Sequence, residues 1–132
     1  GADPTLRVGA LRDRLERDAL KRVSGAVVIG ADAPRLPNTS CLALPGVDGR
    51  VQVMALDLAG VAVSAGAACS SGKVAASHVL AAMGLGEVVA GSAIRVSLGW
   101  SSGPEDVDAF LDAWTDLARR KGFKVSEAAY AA

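Results

Sequence analysis

The amino-acid sequence predicts an α/β fold, a small mixed sheet with helices packed on it. Three observations carry that expectation. Amphipathic stretches with helical periodicity stand near both ends of the chain, short apolar or alternating runs lie between them, and turn residues such as Ser24-Gly25 and Pro45-Gly46 separate the segments. At 132 residues and 51% hydrophobic content the chain is sized for one domain with a real core, assigned to residues 1–125, with an alanine-rich, disordered tail over 126–132.

Asp3 before Pro4 opens the first helix, because the carboxylate accepts from free backbone amides and proline loses no intrahelical bond at the first position. Val8, Leu11, Leu15 and Ala19 keep helical spacing, and Ser24-Gly25 supplies the stop. Ala26 to Ile29 reads as a strand, 30–38 as a connector with two prolines, and Thr39 to Leu44 as a strand ending at Pro45-Gly46. A second helix places Val51, Met54, Ala55 and Leu58 on one face, with Gly60 as its C-terminal cap. The short β-branched run Val61 to Val63 is read as a strand feeding a long loop from Ser64 to Ala76. Ser77 to Met83 is a short helix, and Ile94, Val96 and Leu98 alternate with Arg95 and Ser97, which turns Arg95 away from the aliphatic core. Pro104, Glu105 and Asp106 open the last helix, whose stripe is Val107, Phe110, Leu111, Trp114, Leu117 and Ala118.

The charge balance, 14 basic against 14 acidic residues, gives the chain no net pull toward nucleic acid or anionic membrane. Arg12, Arg14, Arg17, Lys21 and Arg22 alternate with Asp13, Glu16 and Asp18, the pattern of a solvated helix face. No apolar run reaches the length of a membrane span, and the two cysteines, Cys41 and Cys69, form no disulfide-scaffold pattern, so a soluble cytoplasmic protein is expected. Cys41 reads as a small buried residue of a strand.

The chemistry is concentrated in the loop from Ser64. It resembles a phosphate loop at first sight, but Gly66 stands one residue too far from Gly72-Lys73 and Val74 has no hydroxyl for a metal, which excludes nucleotide hydrolysis. The loop carries no arginine for the anion cradle of a cysteine phosphatase or rhodanese, and Cys41, Cys69 and His78 lack zinc-ligand spacing, so no metal is required. His78 is read as opening the helix after Ser77 rather than as a base. Cys69 is different: a thiol among Ala, Gly and Ser in a long loop is poorly placed for a core and well placed to carry a group between two sites.

These residues, with Arg35-Leu-Pro-Asn-Thr39, Pro45-Gly-Val, Met54-Ala-Leu-Asp-Leu-Ala-Gly60, Val63-Ser-Ala-Gly-Ala-Ala-Cys-Ser-Ser-Gly72, Ser77-His-Val-Leu80 and Ser92-Ala-Ile-Arg-Val-Ser-Leu-Gly99, resemble the C-terminal part of group I cysteine desulfurases, the NifS/IscS type, of the class V aminotransferase family. The resemblance runs from about Val8 to Ala118. It implies the C-terminal small domain of a fold-type I pyridoxal 5'-phosphate enzyme that converts L-cysteine to L-alanine and passes sulfur as a persulfide into iron–sulfur cluster or other thio-cofactor assembly. Cys69 matches the family's nucleophile and Arg95 its arginine for the substrate carboxylate, a planar fork suited to bidentate binding. Asn38, within a family motif, is given a turn or capping role. Ala65 and Ala67 replace serines common in the family, which bears on loop hydrogen bonding and not on the nucleophile.

The lysines Lys21, Lys73, Lys121 and Lys124 do not sit in the family's cofactor motif, so the large cofactor-binding domain is expected to be absent, the chain to be a piece of its parent, and the piece alone to be inactive. The resemblance further implies a homodimeric parent, docking to an iron–sulfur scaffold or another acceptor protein, and transient cluster ligation by Cys69. Two other readings stay open: a stand-alone sulfur-carrier or binding module fed at Cys69 by a separate enzyme, and another class V lyase such as a selenocysteine lyase.

Overall fold

The computed structural model describes residues 4–29, 38–58, 63–65, 89, 91–99 and 101–126. Helix α1 (Pro4–Arg22) leads into strand β1 (Val27–Ile29), followed by β2 (Thr39–Ala43), α2 (Gly49–Leu58), β3 (Ser64–Ala65), β4 (Ala93–Ser97) and α3 (Pro104–Arg120). The strands form one four-stranded sheet in the order β1-β2-β4-β3. This is the expected small sheet with helices packed on it, and its three described ladders all run antiparallel. Gly60, the 66–76 loop with Cys69, the helix expected at 77–83 and the tail from 127 lie outside the described residues.

Alternation along the strands assigns the two faces. Leu42 pairs with Ile94 and Ser40 with Val96, and these side chains point toward the helices. There they meet the α1 stripe of Val8, Leu11, Leu15 and Ala19, Leu56 of α2, and the full predicted stripe of α3, in one core. Phe110 and Trp114 stack within it at a centroid distance of 5.8 Å. The opposite face carries Val27, Ile29, Ala43 and Ala93, which with Val89 form a second, smaller apolar cluster.

Local signals fix the connections. Gly46 has φ +92°, the conformation that Pro-Gly turns of type II require at their third position. Gly122, at φ +93°, ends α3: Gly122 N–H donates to Arg119 O at 3.0 Å and Phe123 N–H to Ala118 O at 2.9 Å, the paired bonds of a Schellman cap. Pro104 stands at the first turn of α3, and the Asp106 carboxylate accepts from Gly103 N–H at 2.8 Å. Val23 bridges Val125, and Ser24 N–H donates to Lys124 O at 2.9 Å, so the end of α1 is tied to the segment after α3.

Of the strand expected at Val61 to Val63, residues 61 and 62 lie outside the described residues; β3 is described at Ser64–Ala65, paired with β4, with Val63 immediately before it packed against the core. Two expectations are corrected. In α2 Gln52 and Leu56 have buried side chains, while Val51 and Met54 are exposed, because a buried glutamine replaces an apolar residue and counting only apolar positions rotates the apparent face. The charged side of α1 is not wholly solvated. Glu16 is buried against Ser40, whose hydroxyl donates to it at 2.6 Å, buried Arg22 pairs with Asp112 at 2.7 Å, and Arg14 is hydrogen-bonded to Asp108. Helix α1 packs on both the sheet and α3, so its covered arc is wider than its apolar stripe. The Asp108 bond, ahead of its charge and that of Asp18, raises the pKa of Arg14 and outweighs the opposing effect of burial.

Candidate functional site

The site is built on the sheet face opposite α1, α2 and α3. One row of opposite residues crosses all four strands: Ile29 faces Cys41, Cys41 faces Arg95, and Arg95 faces Ser64. Directly paired residues share a face, with Cα separations of about 5 Å. A guanidinium therefore stands at the centre of a four-strand row, flanked by a cysteine and a serine and bordered by the apolar cluster of Val27, Ile29, Ala43 and Ala93.

Arg95 is half-buried, and its Nε is fully buried without a hydrogen-bond partner. The described residues place no ion pair on it. An unsatisfied buried donor costs about 1–3 kcal/mol, and more when it is charged. Among the described residues nothing offsets that cost. Orientation away from the core is as the alternation of β4 predicts. Cys69, the other predicted site residue, lies outside the described residues, four positions after β3 ends.

The scaffold beneath Arg95 is held by a buried polar network. Gln52 donates from Nε2 to Val47 O at 3.0 Å and to Ser92 O at 2.7 Å, and its Oε1 accepts from Trp114 Nε1–H at 3.0 Å. The Ser92 hydroxyl accepts from Gly46 N–H at 3.0 Å. One side chain thereby links α2, α3, the turn after β2 and the residue that precedes β4. Asp48 caps α2 by accepting from Arg50 N–H at 2.8 Å. The Arg50 guanidinium, and after it this backbone bond, hold the Asp48 carboxyl below its ordinary pKa.

Two site features escape the sequence reading. Gln52 looks like a surface residue, and nothing in the sequence marks it as buried. Cys41, read as an inert buried residue, is half-buried on the Arg95 face and disulfide-bonded. For Cys41 a signal exists: Ser40, Leu42 and Leu44 alternate inward, so Cys41 must face outward, as Arg95 does between Ile94 and Val96.

Residues 8–110 match the family described as aminotransferase class-V. A cysteine desulfurase of Cereibacter sphaeroides is 47% identical over 105 residues, which are 80% of this chain and 27% of that protein. A cysteine desulfurase of Gluconacetobacter diazotrophicus is 43% identical over 106 residues, 80% of this chain and 26% of that protein. The crystal structure of a NifS-like protein from Rickettsia africae superimposes with a TM-score of 0.70 at 30% identity, covering 87% of this chain and 29% of the other. The chain spans about a quarter of the length of the curated relatives it matches.

Proposed function

The chain belongs to the aminotransferase class-V family, and from that premise we propose that it is the small domain, over residues 1–125, of a cysteine desulfurase, with L-cysteine as substrate and Cys69 as the residue that takes the sulfur. The observation that carries the reading is Arg95, a guanidinium with a buried, unpartnered Nε on the sheet face opposite α1, α2 and α3.

The family depends on pyridoxal phosphate, which supplies the chemistry that loosens the substrate's bonds. The described residues do not fit a covalent hold on that cofactor. Lys21, Lys121 and Lys124 are exposed at the ends of α1 and α3, in the helical layer away from the Arg95 face, and Lys73 lies outside the described residues. No step is therefore routed through the cofactor here. What this chain supplies is the substrate's anchor and the sulfur's destination. Arg95 binds and orients the α-carboxylate of L-cysteine through the planar fork, and the apolar border formed by Ile29, Ala43 and Ala93 lowers the local dielectric and strengthens that pairing. The Cys69 thiolate takes the sulfur as a persulfide, leaving L-alanine. The large cofactor-binding domain, a second copy of the parent and an acceptor protein for iron–sulfur or other thio-cofactor assembly complete the proposed assembly, and the chain alone is inactive.

Substitution of Arg95 in the full-length protein tests this reading. Arg95→Ala removes a charge-assisted pair of about 2–5 kcal/mol, so KM for L-cysteine rises by roughly thirtyfold or more, and Arg95→Lys restores little of it because the ammonium cannot bind bidentately. Unchanged KM in both variants refutes the carboxylate assignment.

A further inference from the structure

Arg95 has a directly opposed neighbour on each side, and the two differ in the property that a bound carboxylate reads. On β2 stands Cys41, disulfide-bonded and therefore without an S–H to donate, and beyond it Ile29. On β3 stands Ser64, half-buried, with a hydroxyl that has no hydrogen-bond partner among the described residues. The remaining neighbours on this face do not compete with it. Ala43 and Ala93 are apolar, and the Thr39 hydroxyl donates to Asn38 Oδ1 at 3.2 Å. Ser97 is exposed, two residues along β4 and about 7 Å from Arg95.

We propose that Ser64 is the second ligand of the substrate's α-carboxylate: its hydroxyl donates to one carboxylate oxygen while the Arg95 fork binds the group in its plane. The inference rests on the reading of Arg95 as the carboxylate anchor and names the residue that completes it. Directly opposed residues carry Cβ atoms about 5 Å apart on one face, so an oxygen bound on the β3 side of the fork stands between a charged donor and a neutral one. The Arg95 Nε is buried, so the side chain does not extend straight into solvent and its fork stays near the row. A serine hydroxyl turns its proton toward whichever acceptor is present, and beside a carboxylate it donates.

The ladder that places Arg95 also places Ser64, because β3 pairs with β4 through these two residues. A ligand pair built on paired strands is held more precisely than one built on a loop. Arg95 alone offers a carboxylate more than one edge of its fork. With no donor on the Cys41 side and a hydroxyl on the Ser64 side, the β3 edge is favoured, and the substrate takes one orientation. The pair acts only on a carboxylate, so a substrate fragment without that group gains nothing from Ser64.

The test uses the full-length protein loaded with pyridoxal phosphate. L-Alanine formation gives kcat and KM for L-cysteine, and titration calorimetry gives the dissociation constants of two substrate fragments. One, 3-mercaptopropionate, keeps the thiol and the carboxylate; the other, cysteamine, keeps the thiol and the amine. Ser64→Ala is expected to raise KM and the 3-mercaptopropionate constant together by roughly tenfold or more, the loss of a hydrogen bond to a charged group. Its kcat should stay within about twofold of the wild type, as for a contact made equally in the ground and transition states, and the cysteamine constant should not move. Ser64→Thr keeps the hydroxyl and suits a strand, so it should recover most of the loss. An unchanged KM and 3-mercaptopropionate constant in Ser64→Ala, with both raised in Arg95→Ala, overturns the inference and leaves the carboxylate reading standing. An equal rise for both fragments, or a fall in kcat at constant KM, also overturns it, since either places Ser64 outside carboxylate binding. Unchanged values in Arg95→Ala overturn the reading beneath and the inference with it, so the two failures are distinct.

Discussion

The Gln52–Trp114 hydrogen bond gives a quantitative handle on the scaffold that positions Arg95. Gln52 is fully buried and makes three hydrogen bonds, to Val47 O, Ser92 O and Trp114 Nε1. Gln52→Leu keeps most of the volume and removes all three. Ser92 O retains Leu44 N–H as a donor at 3.3 Å, so the groups most exposed to loss are the indole N–H and Val47 O. At about 1–3 kcal/mol for each buried group left unsatisfied, the variant should lose about 3 kcal/mol. Trp114→Phe orphans Gln52 Oε1 in turn and shrinks the ring, and should cost about 2–3 kcal/mol. In the double variant neither orphan on the broken bond exists, so the combined loss should fall short of the sum by about 1–2 kcal/mol. Equilibrium urea unfolding followed by far-ultraviolet circular dichroism measures all three, and comparable m-values show whether the unfolded reference is shared. A Gln52→Leu loss below about 0.5 kcal/mol, or strict additivity of the pair, refutes the network as an energetic link.

Further predictions follow from single residues. Arg95→Met should leave the chain's unfolding free energy in urea unchanged or raise it by about 1 kcal/mol, because it removes a buried donor that nothing satisfies; a loss above that size would show Arg95 serving the fold. Gly122→Ala should cost about 1 kcal/mol, since φ +93° suits glycine and a Cβ is strained there whatever the space around it. Asp48 has a depressed pKa, so its stabilising contribution is present above the ordinary carboxylate range and is lost as pH falls through its lower folded value. Asp48→Asn keeps the capping oxygen and removes the charge, so the acid limb of the variant's stability-against-pH curve should be shallower than that of the wild type; superimposable curves would remove the cap from the acid response.

Much of this architecture is legible in the sequence because its signals are local. The Pro45-Gly46 turn and the α3 stripe follow from a few adjacent residues, and Arg95 follows from strict alternation in β4. The illegible parts depend on partners distant in sequence. Gln52 is buried because Trp114, 62 positions away, meets it. Glu16 and Arg22 leave the solvent because the sheet and α3 cover more of α1 than its apolar arc. The β3 register is set by Arg95, not by the β-branched residues before it. Cys41 is the intermediate case: its outward direction is readable from alternation, and its disulfide is not.

The most direct test of the central claim is mass analysis of the full-length protein after reaction with L-cysteine and pyridoxal phosphate, without reductant, in the wild type and in Cys69→Ala. One added sulfur on peptide 51–73 of the wild type, with matching L-alanine and neither product in Cys69→Ala, is the predicted result. L-Alanine and sulfide released by Cys69→Ala at the wild-type rate would contradict it.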